Sequence, residues 1–247
     1  MESRTVLAIY GKDRETFLQG LVTNDVTKAL PEKDGICYAA LLSPQGKFIA
    51  DFFLIGREDH ILLDVASDVA PALAQRLSMY KLRADVRIEE TSLVVSRGCG
   101  IAPETALTDP RHPDLGWRDY AHDDHSDDTD FEALRVRLAV PEMGAELSGE
   151  SYILEMGFER LNGVDFRKGC YVGQEVTARM HHKTELKKGL RRVRLHGSAE
   201  SGSAITTGEK IVGTLHSIHG NEGLAYLRFD RVSDNMTAGN ARVEIAD

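Results

Sequence analysis

ICYAALLSPQGKFIADFFLIGREDHILLDV, residues 36–65, decides the fold class. Ile36 to Leu42 and Lys47 to Ile55 are apolar runs of strand length. Ser43-Pro44-Gln45-Gly46 between them is turn chemistry, in which proline presets one backbone angle and glycine tolerates a left-handed one. Gly56 to Asp59 turns the chain again, into a third run, Ile61 to Val65. Connections this short join antiparallel neighbours, because a parallel pair needs a crossover of a dozen or more residues.

Working outward, Asp13 to Gly20 reads as a short helix, with Asp13 capping its first amides and Gly20 in the left-handed conformation that stops it. Beyond the hairpins, Ser67 or Asp68 caps a helix with Pro71 in its first turn and Leu73, Leu77 and Tyr80 on one face. Two strands are expected near Asp85 to Glu89 and Leu93 to Ser96. The run from His122 to Asp128 crowds imidazoles and carboxylates together. Consecutive residues do not converge on one ion without turns, so it reads as a mobile, solvated loop rather than a metal site. Thr129 and Glu132 then offer a capping box for a helix through Leu134 and Leu138, which Pro141 closes. From Gly189 the texture changes to short strands, Leu190 to Leu195, Lys210 to His216, Gly223 to Phe229 and Arg242 to Ile245, separated by glycine-bearing turns. That is the pattern of a small antiparallel barrel or sandwich. The fold class is α+β, with a mixed region over residues 1–186 and a β-barrel over 187–247.

At 247 residues, 42% apolar and 28% charged, the chain can bury a substantial core. A formal charge of −9 repels phosphate backbones and argues against a direct grip on nucleic acid. The one basic cluster, Lys183, Lys187, Lys188, Arg191, Arg192 and Arg194, reads as a solvated interdomain segment. At the N-terminus, charges flank the only short apolar run. Neither a secretory signal nor a membrane-spanning helix is expected, and the chain reads as cytoplasmic with no membrane partner. Cys37, Cys99 and Cys170 are odd in number, widely spaced and outside any CxxC or Cys/His cluster. A disulfide framework and a preformed metal site are therefore disfavoured, and any special cysteine works as a thiol.

The richest stretch is KGCYVGQEVTAR, residues 168–179. Glycines bracket Cys170 and a helical pattern follows, so exposed amides at a helix start, with Arg167 and Lys168, would favour the thiolate. A buried structural cysteine beside a tight turn is the competing reading.

This stretch resembles the signature of the YgfZ family, whose mitochondrial members assist iron–sulfur cluster assembly. GKDRETFLQGLVTNDV at 11–26, YAALLSPQGKFIADFFL at 38–54, YKLRADVRIEE at 80–90 and GLAYLRFDRV at 223–232 also resemble that family and the related glycine-cleavage T-protein. The resemblance implies a T-protein-like, folate-binding region followed by a C-terminal barrel, with tetrahydrofolate as ligand. It implies iron–sulfur client enzymes or assembly proteins as partners, among them radical enzymes that modify transfer RNA. It also implies Cys170 as the working residue, supported by Lys168, Gly169, Tyr171, Gly173, Gln174, Glu175 and Arg179, with Asn24, Asp51, Tyr80 and Arg83 as folate contacts. Two departures separate the chain from the T-protein branch. Ala50-Asp51 stands where that protein has adjacent aspartates, and Arg137 stands where it has a pterin-contacting glutamate. Aminomethyl transfer and a non-enzymatic scaffold are the alternatives to an assembly factor. An oxidoreductase with a fused folate domain is excluded by the absence of a strand–GxGxxG–helix fingerprint.

Overall fold

The structure, a computed structural model, describes residues 3–30, 32–33, 35–182 and 185–246; Lys183 of the basic cluster lies outside them. The chain divides into two compact units, Met1–Thr129 with Glu159–Val176, and Asp130–Phe158 with Thr177–Asp247. In this division residues 130–158 and 177–186 group with the strands that follow residue 187.

In the first unit, β1 (Arg4–Tyr10), β2 (Ile36–Leu42), β3 (Phe48–Gly56), β4 (His60–Ala66) and β5 (Arg87–Glu90) form an antiparallel sheet in the order β2-β3-β4-β1-β5. The two hairpins expected over 36–65 are both present. β2 and nearly all of β4 are buried, which is why they read as continuous apolar runs rather than as alternations. β1 escapes the sequence reading: it is a short run whose partners, β4 and β5, lie far along the chain, with Leu7 opposite Leu63 and Ile9 opposite Ile61 and Ile88. A second sheet of β6 (Val94–Gly98), β7 (Leu107–Thr108) and β8 (Trp117–Ala121) has the order β6-β8-β7.

The one carboxylate in β4 is Asp64, fully buried and ringed by donors. Arg4 Nε reaches it at 2.7 Å, Arg118 Nη2 at 2.6 Å and the Tyr120 hydroxyl at 3.0 Å. Arg118 also faces Asp109 at 3.6 Å, and Asp109 is gripped by Arg111 at 2.8 Å. Phe53, opposite Asp64 in the sheet, lies beneath the guanidiniums of Arg118 and Arg111, 4.0 and 4.8 Å from its ring centre. Burial alone would raise the Asp64 carboxyl; the two arginines outweigh it and hold it at about 2.

The helices form where expected, with different ends. α1 spans Arg14–Gln19, but the Asp13 carboxylate accepts the amide of Asp85 at 2.8 Å instead of capping it, and Gly20 is right-handed at φ −76°. α2, Ala70–Tyr80, starts after Val69 without a side-chain cap, because Ser67 Oγ is engaged by the Thr5 hydroxyl at 2.9 Å. Residues 122–128 are largely exposed, as expected of a solvated run, and are hydrogen-bonded to residues 96–100. Asp127 Oδ2 accepts the amides of Cys99 and Gly100 at 3.0 and 2.7 Å, and the His125 amide donates to Ser96 Oγ at 2.8 Å. Composition signals the exposure of this run but not its long-range anchoring.

In the second unit, α3 (Phe131–Arg137) is capped by Asp130, whose carboxylate accepts the Ala133 amide, rather than by the Thr129–Glu132 box. Six strands, β9 (Lys188–His196), β10 (Ala204–Thr207), β11 (Lys210–His219), β12 (Glu222–Arg228), β13 (Met236–Ala238) and β14 (Ala241–Ile245), close into a barrel in the order β10-β11-β12-β9-β14-β13. Val193, Leu195, Val212, Leu215, Leu227 and Val243 fill it. β10 and β13 are too short to show a period and were outside the expectation.

Candidate functional site

Within the first unit, the segment leading to Cys170 is laced to residues 19–28. The Thr23 hydroxyl donates to Gly163 O at 2.6 Å, the Asp165 amide to Thr23 O at 3.0 Å, and Lys28 Nζ meets Asp165 at 2.8 Å. Lys168 is buried, and its ammonium donates to the carbonyls of Gln19 and Val22, both at 2.6 Å, while standing 5.0 Å from the Tyr171 ring centre. Gln19 ends α1, whose last carbonyls lack intrahelical donors and attract a cation. Burial pushes the Lys168 ammonium down to about 8, against the opposing pull of Asp25, Cys37 and Asp165. The Lys168 ammonium, expected from the sequence to favour the Cys170 thiolate, is bonded to these backbone carbonyls.

On the other side of Cys170 the loop is wedged against the β2–β3 turn. Gly173 has φ +84°, and a Cβ there would stand 2.6 Å from Ser43 O; Gly46 has φ +73°, and a Cβ there would stand 2.7 Å from Val176 Cβ. Nothing lies within 4 Å of a Cβ built at Gly169, so the two glycines around the cysteine are not equivalent. Gly173→Ala is expected to destabilise by about 1–3 kcal/mol through strain and collision. Gly169→Ala should stay within about 0.5 kcal/mol. Urea titrations of the two variants check the contrast. Gln174 opens helix α4 (Gln174–His182), and its Oε1 accepts the Tyr171 amide at 3.2 Å. Glu175 and Arg179 sit exposed on that helix, one turn apart.

Cys170 is therefore an exposed thiol on a loop fixed at both flanks. Cys37 is buried in β2, and Cys99 is exposed in a turn with its Sγ 3.6 Å from Asp114 O. Among the described residues no group of three or more His, Cys, Asp or Glu side chains could hold a metal ion. What Cys170 offers is one soft ligand or one nucleophile, to be completed by groups from elsewhere.

A cavity of about 570 Å³ opens beside this segment, lined by Asn24, Lys28, Cys37, Tyr38, Thr108 and Asn162 among others. Asn24 is fully engaged: its amide donates to Tyr38 O and Asn162 O at 2.7 and 2.6 Å, and its oxygen accepts from the Asp25 amide and Lys28 Nζ at 2.8 and 2.9 Å. Asp51 does not line the cavity but accepts the Tyr38 hydroxyl at 2.8 Å. Tyr80 packs against the sheet core at the end of α2, and Arg83 is exposed beyond it; neither lines the cavity. The structure thus gathers Asn24 and, through Tyr38, Asp51. Sequence reasoning missed Lys28, Tyr38, Asn162 and Asp165. The Asn162-Gly163 pair, with Asn162 left-handed at φ +54°, is the one local signal that pointed there.

Comparison with known proteins agrees with this fold. Residues 187–247 match the model of the CAF17 C-terminal beta-barrel domain. The solved glycine cleavage system aminomethyltransferase T from Bartonella henselae superposes with a TM-score of 0.76 over 97% of this chain and 81% of its own, at 11% identity. That likeness shows the fold alone. The human mitochondrial iron–sulfur cluster assembly factor IBA57 is 32% identical over 94% of this chain and 77% of its own length.

The chain belongs to the IBA57 family.

A homologue from Mycosarcoma maydis is also 32% identical, over 76% of this chain and 54% of its own. The YgfZ resemblance resolves, at the level these relatives establish, into IBA57 membership on a T-protein-type fold. The cytoplasmic expectation is corrected: the IBA57 relatives from human, mouse and Mycosarcoma maydis are named as mitochondrial. Among the described residues no helix is long and apolar enough to cross a membrane.

Proposed function

We propose that the chain acts as an iron–sulfur cluster assembly factor, presenting Cys170 to a cluster or to the protein that carries it. The observation that carries this reading is the exposed thiol held between the Lys168 clamp and the Gly173 wedge. A rigid loop spends little ordering entropy when the thiolate engages a partner's iron. Its clients are iron–sulfur enzymes, radical enzymes that modify transfer RNA among them. The test is complementation: in a strain lacking its own family member, the chain should restore activity of a transfer-RNA methylthiolation enzyme, and no restoration with soluble, folded protein would sink the reading.

Reduced folate is the small-molecule ligand in this proposal. The cavity volume falls in the range of small-molecule sites. Asn24 and Asp51 act there indirectly, through Lys28 and Tyr38. Tetrahydrofolate at a hundredfold excess over its dissociation constant should add about 2.7 kcal/mol of stability. The absence of both a thermal shift and calorimetric heat would remove the ligand from the scheme.

Aminomethyl transfer is the activity we expect to be missing. Ala50 faces the core at 1% exposure, and Arg137 is exposed in the last turn of α3, so neither supplies the acid the T-protein has there. With aminomethyl-loaded lipoyl carrier and tetrahydrofolate, methylenetetrahydrofolate should not form above background.

A further inference from the structure

The outer wall of the barrel carries a concavity of about 430 Å³ whose charged lining is entirely cationic among the described residues. Lys188 at the start of β9 and Arg228 at the end of β12 are cross-strand partners. Arg231 follows in the turn after β12, where its guanidinium donates to Ile211 O on β11 at 2.9 Å. Tyr226 lies on the floor, with Lys188 Nζ 5.7 Å from its ring centre. The tyrosine hydroxyl donates to Glu155 at 2.5 Å, which leaves the ring face as its contribution. Ile211, 59% exposed, is one of the few large apolar side chains left in solvent. Asp230 meets Arg228 at 3.4 Å, but both are about half exposed and water screens the pair.

Two properties identify what fits. The cations converge around an apolar surface, so the occupant carries carboxylates and at least one apolar side chain. The chain's net charge of −9 repels a long polyanion, which disfavours nucleic acid and favours a short acidic segment. Closure of the barrel leaves no strand edge here, so recognition runs through side chains rather than strand addition. We infer that this face binds an acidic segment of a protein partner, with carboxylates on Lys188, Arg228 and Arg231 and an apolar side chain seated on Ile211 and the Tyr226 ring. The inference does not depend on what the Cys170 thiol does. It also redefines part of the basic cluster, since Lys187 and Lys188 line a concavity rather than solvating a linker.

Fluorescence anisotropy on the full chain tests this, with a labelled peptide of glutamates and aspartates around a single leucine. Lys188, Arg231 and Ile211 are exposed, so Lys188→Glu with Arg231→Glu, and separately Ile211→Ser, should keep the native circular dichroism. Binding should weaken about tenfold or more in the double variant, measurably in Ile211→Ser, and also when the leucine is replaced by glutamate. Unchanged affinity in both variants overturns the inference. So does displacement by inorganic phosphate at equal concentration, which would mark a generic anion site. Tighter binding of single-stranded DNA, or self-association abolished by the double variant, likewise assigns the face to a different occupant.

Discussion

Cys170→Ser, expressed in a strain lacking its own family member, leaves the transfer-RNA methylthiolation enzyme at the level of the empty strain, while Cys99→Ser restores it fully. Serine nearly preserves volume, and the thiol is exposed, so folding is expected to be unaffected and melting curves should superpose. What is lost is the soft sulfur, which oxygen does not replace toward iron. Cys99 is the informative control because it too is exposed and its turn is also anchored, by Asp127, yet it lies outside the 168–179 motif. Iodoacetamide labelling mapped by mass spectrometry gives an independent check: Cys170 should label fastest and Cys37, 2% exposed, slowest. A serine variant that supports full enzyme activity would show that the loop's geometry, rather than its sulfur, is what matters.

The largest stability effect is expected at Asp64. Asp64→Ala strips the nearest carboxylate from Arg118, itself 2% exposed, and leaves a buried guanidinium facing the more distant Asp109 and the Tyr120 hydroxyl. Removing one member of a buried pair typically costs about 3–5 kcal/mol. The pH dependence carries the same signature. Asp64 is held at about 2, well below the roughly 3.9 of an unfolded aspartate, so its contribution is fully present above about pH 4 and is lost as pH falls through 2. Asp109, which burial would raise but Arg111 and Arg118 hold down, adds to the same acid limb. Urea midpoints measured from pH 5 to pH 2 should fall steeply in the wild type and less steeply in Asp64→Asn. Parallel slopes would show that Asp64 does not govern the limb.

The parts of this fold that were legible are those whose signal is local. Residues 36–65 declare two hairpins because their turns and apolar runs lie side by side, and the barrel declares itself through repeated strands between glycine-bearing turns. β1 was not legible, since its place between β4 and β5 depends on residues far along the chain. The same distinction runs through the site. Cys170 and its glycines announce a motif, but the carbonyls that hold Lys168 belong to residues 19 and 22, and no spacing rule connects them. Asp64 looks like a stray polar residue in an apolar run until Arg4 and Arg118 arrive from two other strands. Long-range ion pairing has no periodicity to read.

The alternation along β9 separates two kinds of selection. Val193 and Leu195 point into the barrel and carry its stability, whereas the exposed Arg194 between them, His196 after them and Lys188 before them face outward and contribute little to folding. Outward substitutions on such a ring typically shift stability by less than about 0.5 kcal/mol. The barrel's specificity can therefore drift over evolutionary time while the domain remains folded, so that divergence among relatives should concentrate on outward positions and leave the inward ones conservative.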